Sequence, residues 1–145
     1  MKYKVFTDGT MSQQKRLLGM AYVIVTNDKY IKMNQFSTKG ASATKAEVIA
    51  VGLACEYMLK NLNFVTGDSV TFYVDSKNAA SYLTGECSDI LSSENDDRVE
   101  NSLNNFRVLQ QEVAVSVKKV WAHGNTGLHG NKLADRLVNY ALVAD

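Results

Sequence analysis

Four carboxylates in this 145-residue chain stand among apolar neighbours, where an acid needs a reason. Asp8 closes the alternation Lys2-Tyr3-Lys4-Val5-Phe6-Thr7-Asp8-Gly9, and Asp75 closes the short run Val70-Thr71-Phe72-Tyr73-Val74-Asp75-Ser76. Glu47 lies early in a long apolar helical stretch, Thr44-Lys45-Ala46-Glu47-Val48-Ile49-Ala50. Asp135 falls in Gly130-Asn131-Lys132-Leu133-Ala134-Asp135-Arg136-Leu137, the opening of a last helix. An ionised carboxylate in apolar surroundings is costly unless something compensates it. If the fold gathers these four, the natural compensator is a hard divalent cation with oxygen ligands, Mg²⁺ rather than zinc, because Cys and His are scarce. Two such ions roughly 4 Å apart activate a water and stabilise the leaving oxygen in a phosphoryl displacement.

Each acid alone also fits a plainer role. Asp8-Gly9 and Asp75-Ser76 are ordinary strand-ending turn signals. Glu47 and Asp135 are ordinary acids near helix N-termini, favoured there by the helix dipole. Glu47 does share a helical face with Ala50, Val51, Ala54 and Met58, which aims it at packed surroundings. The functional case comes from all four in this element order.

The elements that must position them read as follows. Residues 3–8, 18–26 and 30–37 are strand-like, rich in β-branched and aromatic residues. Asn27-Asp28 is a turn signal that makes the second and third strands a hairpin, while a polar loop with Lys15 and Arg16 joins the first two. Residues 43–62 form a largely buried helix. A strand at 70–74, a short helix at 78–83, a polar acidic loop at 85–97, a helix at 99–112, an alternating strand at 113–120, a glycine-rich loop at 121–130 and a helix at 131–143 complete the order β-β-β-α-β-α-α-β-α. That order means an α/β mixed sheet with helices on its faces, whose sites form at strand carboxyl ends, where Asp8 and Asp75 are placed.

Bulk composition narrows the classes. The length suits a single domain, residues 1–145, with its own core. No apolar run is long enough to span a bilayer, and no signal peptide precedes the first strand, so the expectation is a cytoplasmic protein with no membrane partner. Cys55, inside the apolar helix, reads as a buried thiol, and neither it nor Cys87 has metal or redox spacing. A net charge of +1 lacks the basic excess of a dedicated nucleic-acid-binding domain. Any nucleic-acid role must rest on local basic groups and metal ions.

With these residues in place the chain resembles the ribonuclease H family, type 1-like, over essentially its whole length. The matching segments are Phe6-Thr7-Asp8-Gly9-Thr10, Lys45-Ala46-Glu47, Val74-Asp75-Ser76-Lys77-Asn78-Ala79, and Gly124-Asn125-Thr126-Gly127 followed by Gly130-Asn131-Lys132-Leu133-Ala134-Asp135. The resemblance implies a ribonuclease H-like fold, a five-stranded mixed sheet of order 3-2-1-4-5 flanked by helices. It implies a monomeric endonuclease that cuts the RNA strand of RNA–DNA hybrids with two Mg²⁺ ions, for which Mn²⁺ substitutes, leaving a 3′-hydroxyl and a 5′-phosphate. Asp8, Glu47, Asp75 and Asp135 become the metal-binding acids, Asp8 shared between the ions and Glu47 near the ribose of the attacked strand. The 2′-hydroxyl is the physical basis for telling RNA from DNA.

The departures from the family pattern are specific. Asn125 stands where the family often has a loop histidine that assists proton transfer or product release. His123, two residues earlier, is the candidate to replace it, and His129 is a further one. If neither serves, turnover falls without vanishing, since the metals carry most of the chemistry. The family's hybrid-binding asparagine and glutamine are replaced by Ala43-Thr44-Lys45, where Thr44 and Lys45 are candidate phosphate contacts, joined by Gly9, Thr10 and Ser76 beside the acids. The region of the family's basic protrusion is acidic, with Arg98 its only basic residue between 86 and 100. Weak, salt-sensitive hybrid binding is the expectation. Trp121 and Lys118-Lys119 read as core and solvated strand end rather than as nucleic-acid contacts. Two other functions remain open: a catalytically weakened binding or interaction module of the same fold, and a related metal-dependent nuclease with another substrate.

Overall fold

The computed structural model describes residues 1–74, 76–85, 96–119 and 129–144. Asp75, Cys87, Trp121, His123 and Asn125 lie outside the described residues, as does most of the acidic stretch read above as a loop.

The elements are β1 (Lys2–Ser12), β2 (Leu17–Thr26), β3 (Lys29–Lys39), α1 (Ala43–Asn61), β4 (Ser69–Val74), α2 (Lys77–Leu83), α3 (Asp97–Glu112), β5 (Ala114–Lys119) and α4 (His129–Ala144). They build one five-stranded sheet of order β3-β2-β1-β4-β5. The first three strands pair antiparallel, and β4 joins β1 and β5 in parallel. This is the mixed sheet expected from the element order and the order implied by the resemblance.

The β2–β3 hairpin turns on Asn27 and Asp28, at φ 51° and 59°. Two successive positive φ angles are the signature of a type I′ turn, whose twist matches the strands it joins, and Asn and Asp tolerate that region best after glycine. Further along the hairpin the register shifts between Ile24 and Val25, leaving a bulge on β3, the exposed edge strand.

Being central, β1 is buried on both faces, and its period-two alternation assigns one residue set to each side. Tyr3 and Val5 join Phe72 and Val74 of β4, Val51, Ala54 and Met58 of α1, and Phe106 and Leu109 of α3 in the main core. Phe6 faces the opposite side, where it packs with Val23 and with Ala134 of α4. Full burial of each such Val or Phe side chain contributes roughly 1.5–3 kcal/mol. Helix α1 is buried around most of its circumference, from Ala46 to Met58, as its unusually apolar sequence requires. Helix α4 has a narrower contact stripe, with Gly130, Ala134, Val138 and Ala141 buried at helical spacing.

Strand β1 runs four residues beyond the Asp8 limit read from the sequence, because Gly9 to Ser12 continue the antiparallel pairing with β2. Helix α4 begins at His129, within the stretch read as loop. Helix α3 begins at Asp97 with Asp96 as its N-cap, so the last residues of the supposed acidic loop are an ordered helix start.

Candidate active site

Asp8 lies in the middle of β1, opposite Ala21 of β2. It is therefore not at the strand's end. It lies two residues past Phe6, whose partner Tyr73 marks the last parallel pairing of β1 with β4. Asp8 thus occupies the point at which β1 outruns its parallel neighbour, and strand-end crevices in such sheets are where ligands bind. The carboxylate is 6% exposed, and its Oδ1 accepts the Gly9 backbone N–H at 2.9 Å.

Glu47 is brought to this point by glycine. A methyl group at Gly9 would stand 2.4 Å from both the Ala46 carbonyl carbon and the Glu47 nitrogen. The first turns of α1 therefore rest directly on the β1 backbone, one residue from Asp8. Helix α1 starts cleanly because Ser42 caps it, its hydroxyl accepting from Lys45 N at 3.3 Å. Glu47 Oε2 is fully buried.

Asp135 arrives from the other face. A methyl group at Gly130 would meet the Phe6 ring at 2.3 Å, so α4 starts in close contact with β1. Ala134 is fully buried on the same seat. Asp135, the next residue, is exposed. The helices that carry Glu47 and Asp135 thus touch β1 within two residues of Asp8, with Asp8 buried, Glu47 partly buried and Asp135 open to water. Among the described residues no three His, Cys, Asp or Glu side chains converge closely enough to enclose a metal ion.

The remaining candidates have visible local tasks. Gly9 is the close-packing residue just described. Thr10 follows on β1 opposite Gly19, half-buried, and Thr44 is half-buried in the first turn of α1. Ser76 caps α2, its Oγ accepting from Ala79 N at 3.1 Å. Lys45 is buried, with Nζ 3.3 Å from Asp96 Oδ2, so its ammonium faces the N-cap of α3. His129 opens α4.

Asp96, which the sequence places only in the acidic loop, is the N-cap of α3. Its carboxylate takes Arg98 Nε at 3.0 Å on Oδ1 and Nη2 at 2.8 Å on Oδ2, a bidentate fork, and caps α3 by accepting from Arg98 N at 3.0 Å. Hydrogen bonds from the Arg98 guanidinium, more than any other influence, hold the Asp96 carboxyl well below the usual carboxylate range. Arg98 Nη1 in turn donates to Lys39 O at 2.7 Å and Thr38 Oγ1 at 3.1 Å. An acid ahead of an acidic first turn, Asp97 and Glu100, was the available signal for this cap.

The model of the RNase H family matches residues 1–142. The chain belongs to the RNase H family. No curated protein sequence matches it. Among solved structures it is similar to RNase H1 from the halophilic archaeon Halobacterium salinarum NRC-1, with 19% identity, full coverage of both chains and a TM-score of 0.74. It is similar to LC11-RNase H1, isolated from compost by a metagenomic approach, with 17% identity over 99% of this chain and 96% of that one and a TM-score of 0.76. The same LC11 enzyme in complex with an RNA/DNA hybrid matches with 16% identity over 98% and 97% of the chains and a TM-score of 0.76. At these identities the likeness is one of fold. Among the described residues no helix is long and apolar enough to cross a membrane.

Proposed function

We propose that this RNase H family member is a metal-dependent endonuclease that hydrolyses the RNA strand of RNA–DNA hybrids, leaving a 3′-hydroxyl and a 5′-phosphate. The observation that carries this reading is the packing of α1 on Gly9, which seats the Glu47 backbone against the residue that follows the buried Asp8 in a chain of this family. The hybrid bound by the structurally similar LC11-RNase H1 supports the choice of substrate.

The donor chemistry fits Mg²⁺. Asp8, Glu47, Asp75 and Asp135 offer only carboxylate oxygens, and burial of Asp8 and of one Glu47 oxygen favours a compensating hard cation over solvation by bulk water. Asp8, Glu47, Asp75 and Asp135 are the residues that would hold two Mg²⁺ ions, or Mn²⁺ in their place. When bound, such ions supply a nucleophilic hydroxide at neutral pH and stabilise the oxygen that leaves. The protein's part is placement: the stiff β1 backbone fixes Asp8, the Gly9 contact fixes Glu47, and the Phe6–Gly130 contact fixes the helix that carries Asp135. Among the described acids, exposed Asp135 is the one best placed to exchange with water and product. Thr10 and Thr44 are candidate contacts to the hybrid's backbone, while His123 and Asn125 are candidates for the proton-handling role.

An end-labelled RNA–DNA hybrid incubated with Mg²⁺ and with Mn²⁺, wild type beside Asp8→Asn, tests the proposal. RNA-strand cleavage by wild type alone is expected. Absence of cleavage with either ion by folded protein refutes it. Asn125, where the resemblance leads one to expect histidine, favours a weakened binding module as the second reading, and hybrid binding without cleavage would establish that one instead.

A further inference from the structure

We propose that Asp96 is a positioning residue for the candidate metal site: through Lys45 it holds the first turn of α1, and with it Glu47, against β1. This rests on the metal-dependent cleavage proposed above.

Lys45 is in an unfavourable place twice over. It sits three residues after the Ser42 cap, in a first helical turn that contains no acid. A cation there opposes the positive end of the helix dipole. Its side chain is also only 10% exposed, and a buried ammonium is costly without a counter-charge. Asp96 Oδ2, 3.3 Å away and itself only 11% exposed, supplies that charge from 51 residues further along the chain.

The same carboxylate is braced from the other side. Arg98 grips it with a bidentate fork and is itself tied to Lys39 O and Thr38 Oγ1 at the end of β3. Asp96 therefore knots the end of β3, the start of α1 and the start of α3. Glu47 lies two residues beyond Lys45 on the turn that rests on Gly9. With this counter-charge removed the buried ammonium is less well compensated and is drawn towards water, the first turn follows it, and Glu47 moves relative to β1. Loss of an outer partner that orients a metal ligand typically weakens metal affinity or activity about 10- to 100-fold.

Asp96→Asn isolates the charge, because asparagine caps a helix about as well as aspartate. Lys45→Met removes the cation while keeping an apolar stem. The experiment measures Mn²⁺ affinity of the whole chain by calorimetry, beside the Mg²⁺ dependence of hybrid cleavage. Asp96→Asn is expected to weaken Mn²⁺ binding about 10-fold or more, with KM for hybrid near the wild-type value. The double variant Asp96→Asn/Lys45→Met is expected to recover most of that affinity, since no buried cation then pulls on the turn. A purely structural role for Asp96 predicts no such recovery. Mn²⁺ affinity of Asp96→Asn within about twofold of wild type, or a double variant no better than Asp96→Asn, overturns the proposal. Should Asp96→Asn fail to fold, Asp96→Glu keeps the charge and is expected to hold Mn²⁺ within about threefold of wild type; a larger loss in folded protein overturns it equally. Wild type that binds no Mn²⁺ defeats the cleavage proposal and this one together, whereas normal wild-type binding with an unaffected Asp96→Asn defeats this one alone.

Discussion

Gly9 and Glu47 meet backbone to backbone: a Cβ on Gly9 would lie 2.4 Å from the Glu47 nitrogen. No side chain stands between Gly9 and the Ala46–Glu47 backbone, so main-chain contact sets how closely this turn of α1 approaches β1. Gly9→Ala cannot be absorbed by a rotamer change, because all three atoms it strikes belong to the α1 backbone. Overpacking of this kind destabilises by about 1–3 kcal/mol, and here it also pushes Glu47 away from Asp8. The expected result is a lower Tm together with cleavage reduced more than the stability loss explains. Thermal melts and initial rates at a temperature where the variant remains folded check it. A variant that melts early but cleaves at the wild-type rate would show that the spacing of the two acids does not matter.

Asp135 and Asp8 are expected to respond differently to the same change. Asp135 is exposed, and exposed substitutions away from special features usually alter stability by less than about 0.5 kcal/mol. Asp135→Asn should therefore melt like wild type without metal yet lose part of the stabilisation that Mg²⁺ confers. A single site filled at ten times its dissociation constant adds about 1.4 kcal/mol, a shift of a few degrees in a domain of this size. Asp8→Asn, in the buried position, should abolish the metal-induced shift altogether. Calorimetric scans of the three proteins with and without Mg²⁺ decide this, and an undiminished shift in Asp8→Asn would remove Asp8 from the ligand set.

Acid sensitivity follows from the Asp96–Arg98 fork. Hydrogen bonding to the guanidinium depresses the Asp96 carboxyl from its ordinary value near 3.8. The unfolded chain therefore binds a proton on this group at a pH where the folded chain does not. The stability the pair contributes is fully present above the unfolded value of about 3.9 and is lost as pH falls from there towards the depressed folded value. In Tm measured from pH 6 down to pH 2.5, wild type should fall more steeply than Asp96→Asn below pH 4, the two curves converging in acid. Parallel curves would mean that the fork contributes no pH-dependent stability.

How far the sequence reached depended on the range of the interaction. The hairpin at Asn27-Asp28, the buried helix α1 and the strand β4 are legible because turn chemistry and hydrophobic period act within a few residues. The four acids stand out for the same reason, each being odd against its immediate neighbours. The end of β1 is not legible locally, because Asp8-Gly9 has the composition of a turn, whereas pairing with Leu17 to Ala21 of β2 carries the strand on to Ser12. The Lys45–Asp96 pair is not legible, because Asp96 lies 51 residues away in a stretch whose acidity suggests solvent. Long-range charge pairing has no local period, so only the folded chain reveals it.

Burial makes Cys55 a probe of global opening. The side chain is wholly inaccessible in the main core, and desolvation drives its thiol pKa strongly upward, so the reactive thiolate is suppressed in the native state. In a Cys87→Ser background, Cys55 should react with a thiol reagent only at the rate at which the core opens. Mg²⁺ should slow that reaction if the ions bind the folded state alone. Labelling at the rate of a free thiol without denaturant would contradict the burial of α1.

The close contact between Gly130 and Phe6 sets the other half of the site. The Phe6 ring is stacked on Tyr73 at a centroid distance of 4.9 Å, so it cannot readily yield to a methyl group placed 2.3 Å from its edge. In Gly130→Ala the start of α4 must therefore lift from the sheet, carrying Asp135 with it, while Val138 and Ala141 further along keep the helix attached. Gly130 lies in the first turn of α4, where alanine's helix propensity gain over glycine is smaller than in a helix interior and offsets only a little of the steric loss. A modest change in Tm, with a clear rise in the Mg²⁺ concentration needed for half-maximal cleavage, is the expected combination. Gly9→Ala and Gly130→Ala act on opposite faces of β1 through different acids, so their effects on stability should add to within about 0.5 kcal/mol while both weaken metal dependence. Full retention of wild-type Mg²⁺ dependence in Gly130→Ala would show that Asp135 acts without being held at a fixed distance from β1.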